Sequence, residues 1–279
     1  MSSSIEQLGP SHAEALRALL SKDPVHHLYL LGLAEEYGLE ARPGPGGSAF
    51  WGRFEAGALT GVLFVGGGGG LLVPSALDAA AVGAFTEALG KDLRVQACLG
   101  EKPAVDALMR ALCPRTPRLS RVQRLFGVSA DDLGPFTNPT LRLAREEDLP
   151  RLLPLALGAV REGLERDPLA DGAGLFEARV RRRVRARRTY VLEEAGALVF
   201  KVDVGSRSQH GAELEGLYTL PGQRRKGHAT LCLGQISRHL LSSLPRLTLR
   251  VDEQNASLAG IARKVGFVPG RPQRLVLVD

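Results

Sequence analysis

Glu213 and Glu215 stand two residues apart in an alternating stretch that leads into Leu217-Tyr218-Thr219-Leu220-Pro221-Gly222-Gln223-Arg224-Arg225-Lys226-Gly227-His228-Ala229-Thr230. Two carboxylates spaced in this way project from the same face of a strand, where either can take up a proton. The basic, glycine-punctuated turn that follows opens an amphipathic helix and is a place for a pyrophosphate. A helix start offers unpaired backbone N–H groups and the positive end of the helix dipole. Arg224, Arg225 and Lys226 add mobile positive charge, and Gly227 with the small Ala229 lets an anion approach the backbone. The plainer alternative is a turn whose basic residues are solvated, since short glycine motifs also arise by chance. A strand-borne glutamate is likewise more often a solvated face residue than a base.

Further along, Asn255-Ala256-Ser257-Leu258-Ala259-Gly260-Ile261-Ala262-Arg263-Lys264-Val265-Gly266-Phe267 reads as a capped helix ending in glycine and a buried aromatic. Leu247 to Val251 alternates as a strand between the two segments. With Arg224-x-x-Gly227-x-Ala229 before it, this segment resembles the second of two central motifs of the GNAT superfamily of N-acetyltransferases. The family patterns are an R/Q-x-x-G-x-G/A pyrophosphate loop and an N-x-x-A-x-x-x-Y-x-K-x-G-F helix. Leu141 to Pro150 resembles the family's opening strand and first helix, so the resemblance covers residues 140 to 279.

The resemblance implies an acyl-CoA as co-substrate, acetyl-CoA first among them, with no metal, and direct transfer of the acyl group to an amine of a small molecule, peptide or protein. It implies a pyrophosphate over Arg224, Arg225, Lys226, Gly227, His228, Ala229 and Thr230, and strand-like pairing of pantetheine with the backbone of Leu217, Tyr218 and Thr219. Asn255 would add a cofactor contact, or serve as a plain N-cap. Glu213, eleven residues before Arg224, is slightly ahead of Glu215 as general base. The sequence departs from the family at Leu258, where alanine is usual, and at Ala262, where many members carry a tyrosine as the acid for the departing thiolate. A thiol of pKa about 8.5 leaves largely unassisted, so the change does not by itself abolish transfer. Tyr218 is read as a packing residue rather than a substitute acid, and Cys232 as core.

The 279 residues are 44% hydrophobic, enough for one large core or two modest ones, and the length favours two domains. Residues 1–139 hold 12 Lys+Arg against 14 Asp+Glu, whereas residues 140–279 hold 24 against 16. The basic half suits a cofactor with several phosphates, although nucleic acid would feel the same field. Cys98, Cys113 and Cys232 are too scattered for a disulfide framework or a metal site. No leader pattern and no run of 18 apolar residues occurs, so a soluble, cytoplasmic protein without a membrane partner is expected.

Turn formers replace periodic hydrophobics between Ser129 and Pro139, which predicts a domain at 1–130, a linker at 131–139 and an acyltransferase domain at 140–279. The two halves begin alike, with a short strand near Ile5 or Leu143 and a helix over Ala13 to Leu20 or Leu149 to Val160. Glu55-Ala56-Gly57-Ala58-Leu59 recurs as Glu194-Ala195-Gly196-Ala197-Leu198, each time as the turn of a hairpin. The expected class is α/β (α+β): tandem GNAT-like folds, each a mixed, mostly antiparallel sheet flanked by helices. The first half is read as a degenerate GNAT-like or related α/β domain rather than an unrelated α/β module, because Ser75-Ala76-Leu77-Asp78 follows Pro74 where the second half has its basic glycine turn.

Seven arginines between Arg179 and Arg188 accompany Phe176, Val180 and Val184 at helical spacing. They read as a solvated helix face rather than a nucleic-acid surface. Glu162, Glu165 and Asp167 lie where such folds build acceptor pockets and would suit a cationic amine, or are simply exposed helix charges. Two rivals to an enzyme remain in view, a non-catalytic acyl-CoA-binding or regulatory protein, motivated by Ala262, and a nucleic-acid-associated protein, motivated by the basic half.

Overall fold

The computed structural model describes residues 3–42, 44, 47–75, 79–89, 93–112 and 116–278. The chain divides into two compact units, Met1–Leu125 with Gly270–Asp279, and Phe126–Pro269. The first unit runs β1 (Ser3–Gln7), α1 (Ala13–Leu20), α2 (Leu28–Tyr37), β2 (Ser48–Glu55), β3 (Ala58–Gly66), β4 (Leu71–Ser75), α3 (Ala79–Leu89), β5 (Ala97–Glu101), α4 (Lys102–Leu112) and most of β6 (Leu119–Val128). The second repeats that order with β7 (Arg142–Leu143), α5 (Leu149–Leu164), α6 (Ala173–Arg185), β8 (Thr189–Glu194), β9 (Ala197–Ser208), β10 (Gly211–Thr219), α7 (His228–Leu241), β11 (Leu247–Asp252), α8 (Ala256–Val265) and the start of β12 (Val268–Leu277).

In the first unit the strand order is β1-β2-β3-β4-β5-β12, antiparallel except for β4 with β5. In the second the order is β11-β10-β9-β8-β7, with the end of β6 beside β11, and β10 pairs β11 in parallel. Side chains alternate across each strand and supply two cores per unit. On β3, Val62 and Phe64 join Leu16 and Leu31 of α1 and α2, whereas Leu63 and Val65 join Phe85 and Leu108 of α3 and α4. On β10, Ala212 and Leu214 pack with Leu233, Ile236 and Ala262 of α7 and α8, while Tyr218 packs with Leu152, Leu155 and Val180 of α5 and α6. Each fully buried side chain of this kind contributes about 1.5–3 kcal/mol.

The recurring pentapeptide makes the same turn twice. Ala56 and Gly57 have φ of 49° and 81°, and Ala195 and Gly196 have 47° and 79°. Paired φ values above zero at the two central residues belong to two-residue hairpins, closed here by Glu55↔Ala58 and Glu194↔Ala197.

The domain limits differ from the sequence expectation at two places. The final strand belongs to the first unit, because Gln273–Leu277 pairs antiparallel with Glu101–Ala97 and Val276 enters its core. The segment expected to be a linker, 131–139, is packed within the second unit. Gly134 N–H donates to Val265 O at 2.9 Å, Arg238 Nη2 donates to Gly134 O at 2.9 Å, and Asn138 N–H donates to Gln235 Oε1 at 3.2 Å. Gly234 and Gly266 admit it, since a Cβ on them would stand 2.2 Å from Phe136 O and 2.1 Å from Asp132 O. Turn-forming composition signals irregular backbone, not a lack of packing.

Asp148 ties β7, α5 and β8 together. Its buried carboxylate accepts the Arg145 N–H at 2.8 Å, Arg142 Nη1 at 2.7 Å and Arg151 Nη2 at 2.7 Å, and both arginines continue to Glu193. The Arg142 hydrogen bonds hold the Asp148 carboxyl down at about 2, against 3.8 ordinarily. A carboxyl lowered on folding contributes stability above its unfolded value and loses it as pH falls through the folded one. Asp148→Asn should therefore cost about 2 kcal/mol or more at pH 7 in urea unfolding. The two proteins should converge as pH drops from 4 to 2, and an equal deficit at both ends would contradict the pairing.

Candidate functional site

β10 and β11 pair only at Ala212↔Leu247, Glu213↔Thr248 and Leu214↔Leu249, and β10 then continues to Thr219 against β9 alone. The parallel strands part at that point and leave one edge of β10 without a neighbour. Leu220 N–H donates to Val199 O at 3.0 Å, so alternate backbone groups face β9 and those of Leu217 and Thr219 face the open edge. Arg224 Nε donates to the Thr219 carbonyl oxygen at 3.1 Å, leaving the backbone groups of Leu217 and the Thr219 N–H on that edge. Backbone groups of this kind are costly to bury unless filled, and an extended amide-bearing chain would fill them.

The edge leads to the N-terminus of α7. Arg225 and Gly227 have φ of 65° and 87°, and Gly227 is an N-cap whose position supplies no side-chain cap. Leu231 N–H is the first to find a backbone acceptor, Gly227 O at 3.1 Å. Among the described residues none accepts from the N–H groups of Arg225, Lys226, Gly227, His228, Ala229 or Thr230. Successive N–H groups in a left-handed turn at a helix start form an anion cradle, so the donor set fits a pyrophosphate. The charges around it are less mobile than expected. Lys226 Nζ donates to Gln223 Oε1 at 2.7 Å, and Arg224 Nη2 reaches Glu162 Oε1 and Oε2 at 2.9 and 2.8 Å. Arg225 is exposed, and His228 is buried with its Nδ1 3.3 Å from Glu194 Oε1.

Glu213 and Glu215 share the sheet face covered by α5 and α6, but their surroundings differ. Glu213 is 4% exposed and ion-paired to Arg250 of β11, and its Oε2 has no hydrogen-bond partner among the described residues. Burial pushes its carboxyl up to about 6, against the pull of Arg250. Glu215 is about one-third exposed and ion-paired to Arg183 of α6. Neither is the solvated face residue of the plainer expectation. Arg183 also approaches Asp203, at 3.4 Å, while Arg181 and Arg185 pair with Glu177 and Glu146. The arginine-rich helix is thus laced by ion pairs rather than merely solvated. An open depression of about 550 Å3 on the outer face of α6, lined by Gly174, Glu177, Ala178, Arg181, Arg182 and Arg185, contains none of the groups at the strand divergence.

Tyr218 packs under α5. Its hydroxyl donates to Glu162 Oε1 at 2.9 Å, and the Arg224 guanidinium lies 5.4 Å from its ring centroid. Burial and then Glu162 raise its pKa, which suits a packing role. Asn255 caps α8 by accepting the Leu258 N–H at 2.9 Å, so its carbonyl oxygen is used and its amide N–H groups are available. Ala262 is fully buried among Cys232, Leu233 and Phe267. Cys98 and Cys232 are buried free thiols, and Cys113 lies outside the described residues. Among the described residues no group of His, Cys, Asp and Glu is placed to hold a metal ion, and no helix is long and apolar enough to cross a membrane.

No protein-family model matches the chain, and no curated protein matches its sequence. Solved structures do match. A GNAT-family acetyltransferase from Colwellia psychrerythraea aligns over 99% of this chain and 100% of its own, at 13% identity and a TM-score of 0.59. A Drosophila protein aligns over 99% of both chains at 14% identity and a TM-score of 0.70. A tandem GNAT protein from the clavulanic acid biosynthesis pathway aligns over 99% of this chain and 98% of its own, at 14% identity and a TM-score of 0.54. The chain has the GNAT fold in tandem. Identities this low speak to the fold, and the chemistry rests on the residues.

The first GNAT unit has counterpart strands, β4 and β5, with parallel pairs at Leu71↔Ala97 and Leu72↔Cys98 only. There Pro74 closes the gap, since a Cβ on Gly100 would lie 3.0 Å from the Pro74 carbonyl and 3.2 Å from its ring. Proline also removes the N–H that an open edge would offer. The turn after β4, residues 76–78, lies outside the described residues.

Sequence reasoning missed Arg250 and Arg183 as the partners of the glutamates, and the buried pair Lys201 and Asp203. The signal was present in Lys201-Val202-Asp203, charges at alternate positions inside an apolar run. It also missed that Gly158 of α5 makes room for Tyr218, whose hydroxyl would stand 2.4 Å from a Cβ there. Gly→Ala inside a helix ordinarily gains about 1 kcal/mol. Gly158→Ala should instead destabilise by about 1–3 kcal/mol through overpacking, and become stabilising in a Tyr218→Ala background. Equal effects in both backgrounds, read by denaturant unfolding, would contradict the contact.

Proposed function

We propose that the second unit is an acyl-CoA-dependent N-acyltransferase, with acetyl-CoA as the foremost donor and an amine as acceptor. The observation that carries this reading is the parting of β10 from β11 immediately ahead of an uncapped helix start. An open strand edge followed by a fan of unpaired N–H groups matches an amide-bearing arm followed by a pyrophosphate. The 225–230 backbone would hold the phosphates, Leu217 and Thr219 the pantetheine, and the free amide of Asn255 an outer contact. Acyl-CoA, when bound, would supply the activated thioester.

For transfer, a neutral amine attacks the thioester carbonyl carbon, and the Leu217 N–H is placed to meet the oxygen as it gains charge. Glu213, deprotonated above about pH 6, takes the proton lost by the amine, directly or through one water. The C–S bond then breaks, and the thiolate draws its proton from solvent, since Ala262 offers none. Each carboxylate is held by one arginine, Glu213 by Arg250 and Glu215 by Arg183, and the raised carboxyl of Glu213 and its Oε2 without a partner among the described residues support Glu213 as the base. The second reading, a protein that binds acyl-CoA without turnover, is motivated only by Ala262 standing where the family carries its tyrosine acid. Single-turnover transfer to a panel of polyamines, aminoglycosides, amino acids and peptides separates the two.

Calorimetry on the intact chain should give one coenzyme A site, because Pro74 closes the edge in the first unit. Gly227→Glu, which sets a carboxylate in the cradle at a positive φ, should remove binding from the folded protein. Two sites, or unchanged affinity in that variant, would refute the assignment. Glu213→Gln should leave coenzyme A affinity intact and lower turnover by about 100- to 10,000-fold. In the wild type the rate should rise with pH through about 6 as the Glu213 carboxyl ionises. Persistence of that limb in Glu213→Gln would assign it to another group.

A further inference from the structure

Lys201 interrupts an apolar stretch of β9 and is 3% exposed. An ammonium taken out of water is costly unless it is paired and hydrogen-bonded. Its Nζ donates to Asp203 Oδ2 at 2.6 Å and to the carbonyl oxygen of Gly216 at 2.9 Å. Asp203 is 6% exposed and is fixed in turn by Thr189 Oγ1 at 2.7 Å. None of these groups has a part in the proton transfer described above.

The Gly216 carbonyl belongs to a bulge. Between the pairs Glu215↔Asp203 and Tyr218↔Lys201, β10 carries Gly216 and Leu217 where β9 carries Val202 alone. Gly216 has φ of 59°, and a Cβ there would lie 2.8 Å from Asp203 Oδ2 and 2.9 Å from Lys201 Nζ. Glycine is therefore required for the ion pair to reach the backbone. The carbonyl that Lys201 holds shares a peptide plane with the N–H of Leu217, which faces the open edge of β10. A cation on the oxygen draws electron density through the conjugated amide and makes that N–H a stronger donor. A donor fixed in place before reaction is what a developing oxyanion needs.

We infer that Lys201, anchored by Asp203, is a positioning residue for acyl transfer. By holding the Gly216 carbonyl it fixes the bulge and both aims and polarises the Leu217 N–H as the oxyanion donor. The inference rests on the acyltransferase reading of the same site.

The test loads the full-length protein, without acceptor, with acetyl-CoA labelled with 13C at the thioester carbonyl and reads the carbonyl stretch by infrared difference spectroscopy. Wild type should show the band below its frequency in free acetyl-CoA. Lys201→Met should return it toward the free value and lower kcat with the best amine of the panel about 10- to 100-fold, leaving KM for acetyl-CoA and coenzyme A affinity within about threefold. Asp203→Asn keeps the shape and loosens the anchor, so it should move the band less and in the same direction, and it serves if Lys201→Met does not fold. A wild-type band at the free value overturns the inference without any variant. So does a folded variant in which kcat, affinity and stability fall together while the band stays in place. Failure of wild type to bind acetyl-CoA overturns the acyltransferase reading itself, and this inference with it.

Discussion

The parting of β10 from β11 after Leu214 and Leu249 is the constraint on which the second unit turns. Parallel strands that remain in register satisfy each other's backbone, so separation leaves an edge that must be met by something else. The chain prepares this edge rather than hiding it. The bulge at Gly216 and Leu217 shifts the register against β9, and the strand ends where the α7 turn gathers six N–H groups without acceptors among the described residues. At the corresponding place in the first unit Pro74 and Gly100 approach closely, and Pro74 has no N–H to offer. Pro74, and the absence after it of a basic glycine turn, separate two copies of a fold that otherwise share their order of elements.

Charge on the α5/α6-facing side of the second sheet is organised as pairs, all but one of them across elements. Glu213 binds Arg250, Glu215 binds Arg183, Lys201 binds Asp203, and Glu162 joins Tyr218 to Arg224. Breaking one partner of a buried pair leaves an uncompensated charge and costs about 3–5 kcal/mol. These side chains are therefore held more firmly than isolated carboxylates on a strand would be. Within this set Glu213 differs, because its raised carboxyl and its unpartnered Oε2 leave it able to exchange a proton near neutral pH. The exposed Glu162 and Arg224 pair is held mainly by geometry, since surface ion pairs contribute little.

The sequence by itself determined the local structure. The pentapeptide at 55–59 and 194–198 specified both hairpins, because alanine-glycine at positive φ needs no partner elsewhere. The helices of α1, α5 and α8 followed from their periodicity and, at Asn255, from a side chain that caps its own backbone. The repeated order of elements, and with it the tandem fold, was legible for the same reason. Tertiary structure alone decided what required a partner distant in the chain. The last strand lies with β5 of the first unit, and residues 131–139 pack on α7 and α8, because Gly234 and Gly266 leave space that no local pattern announces. The same holds for the site. Sequence named Glu213, Glu215 and the basic turn from their spacing. Only the fold brought Arg250, Arg183 and Glu162 to them, tied down the arginine expected to be mobile, and set Lys201 against the backbone of Gly216. An ion pair depends on two positions at once, and the distance between them is fixed by packing, not by either segment alone.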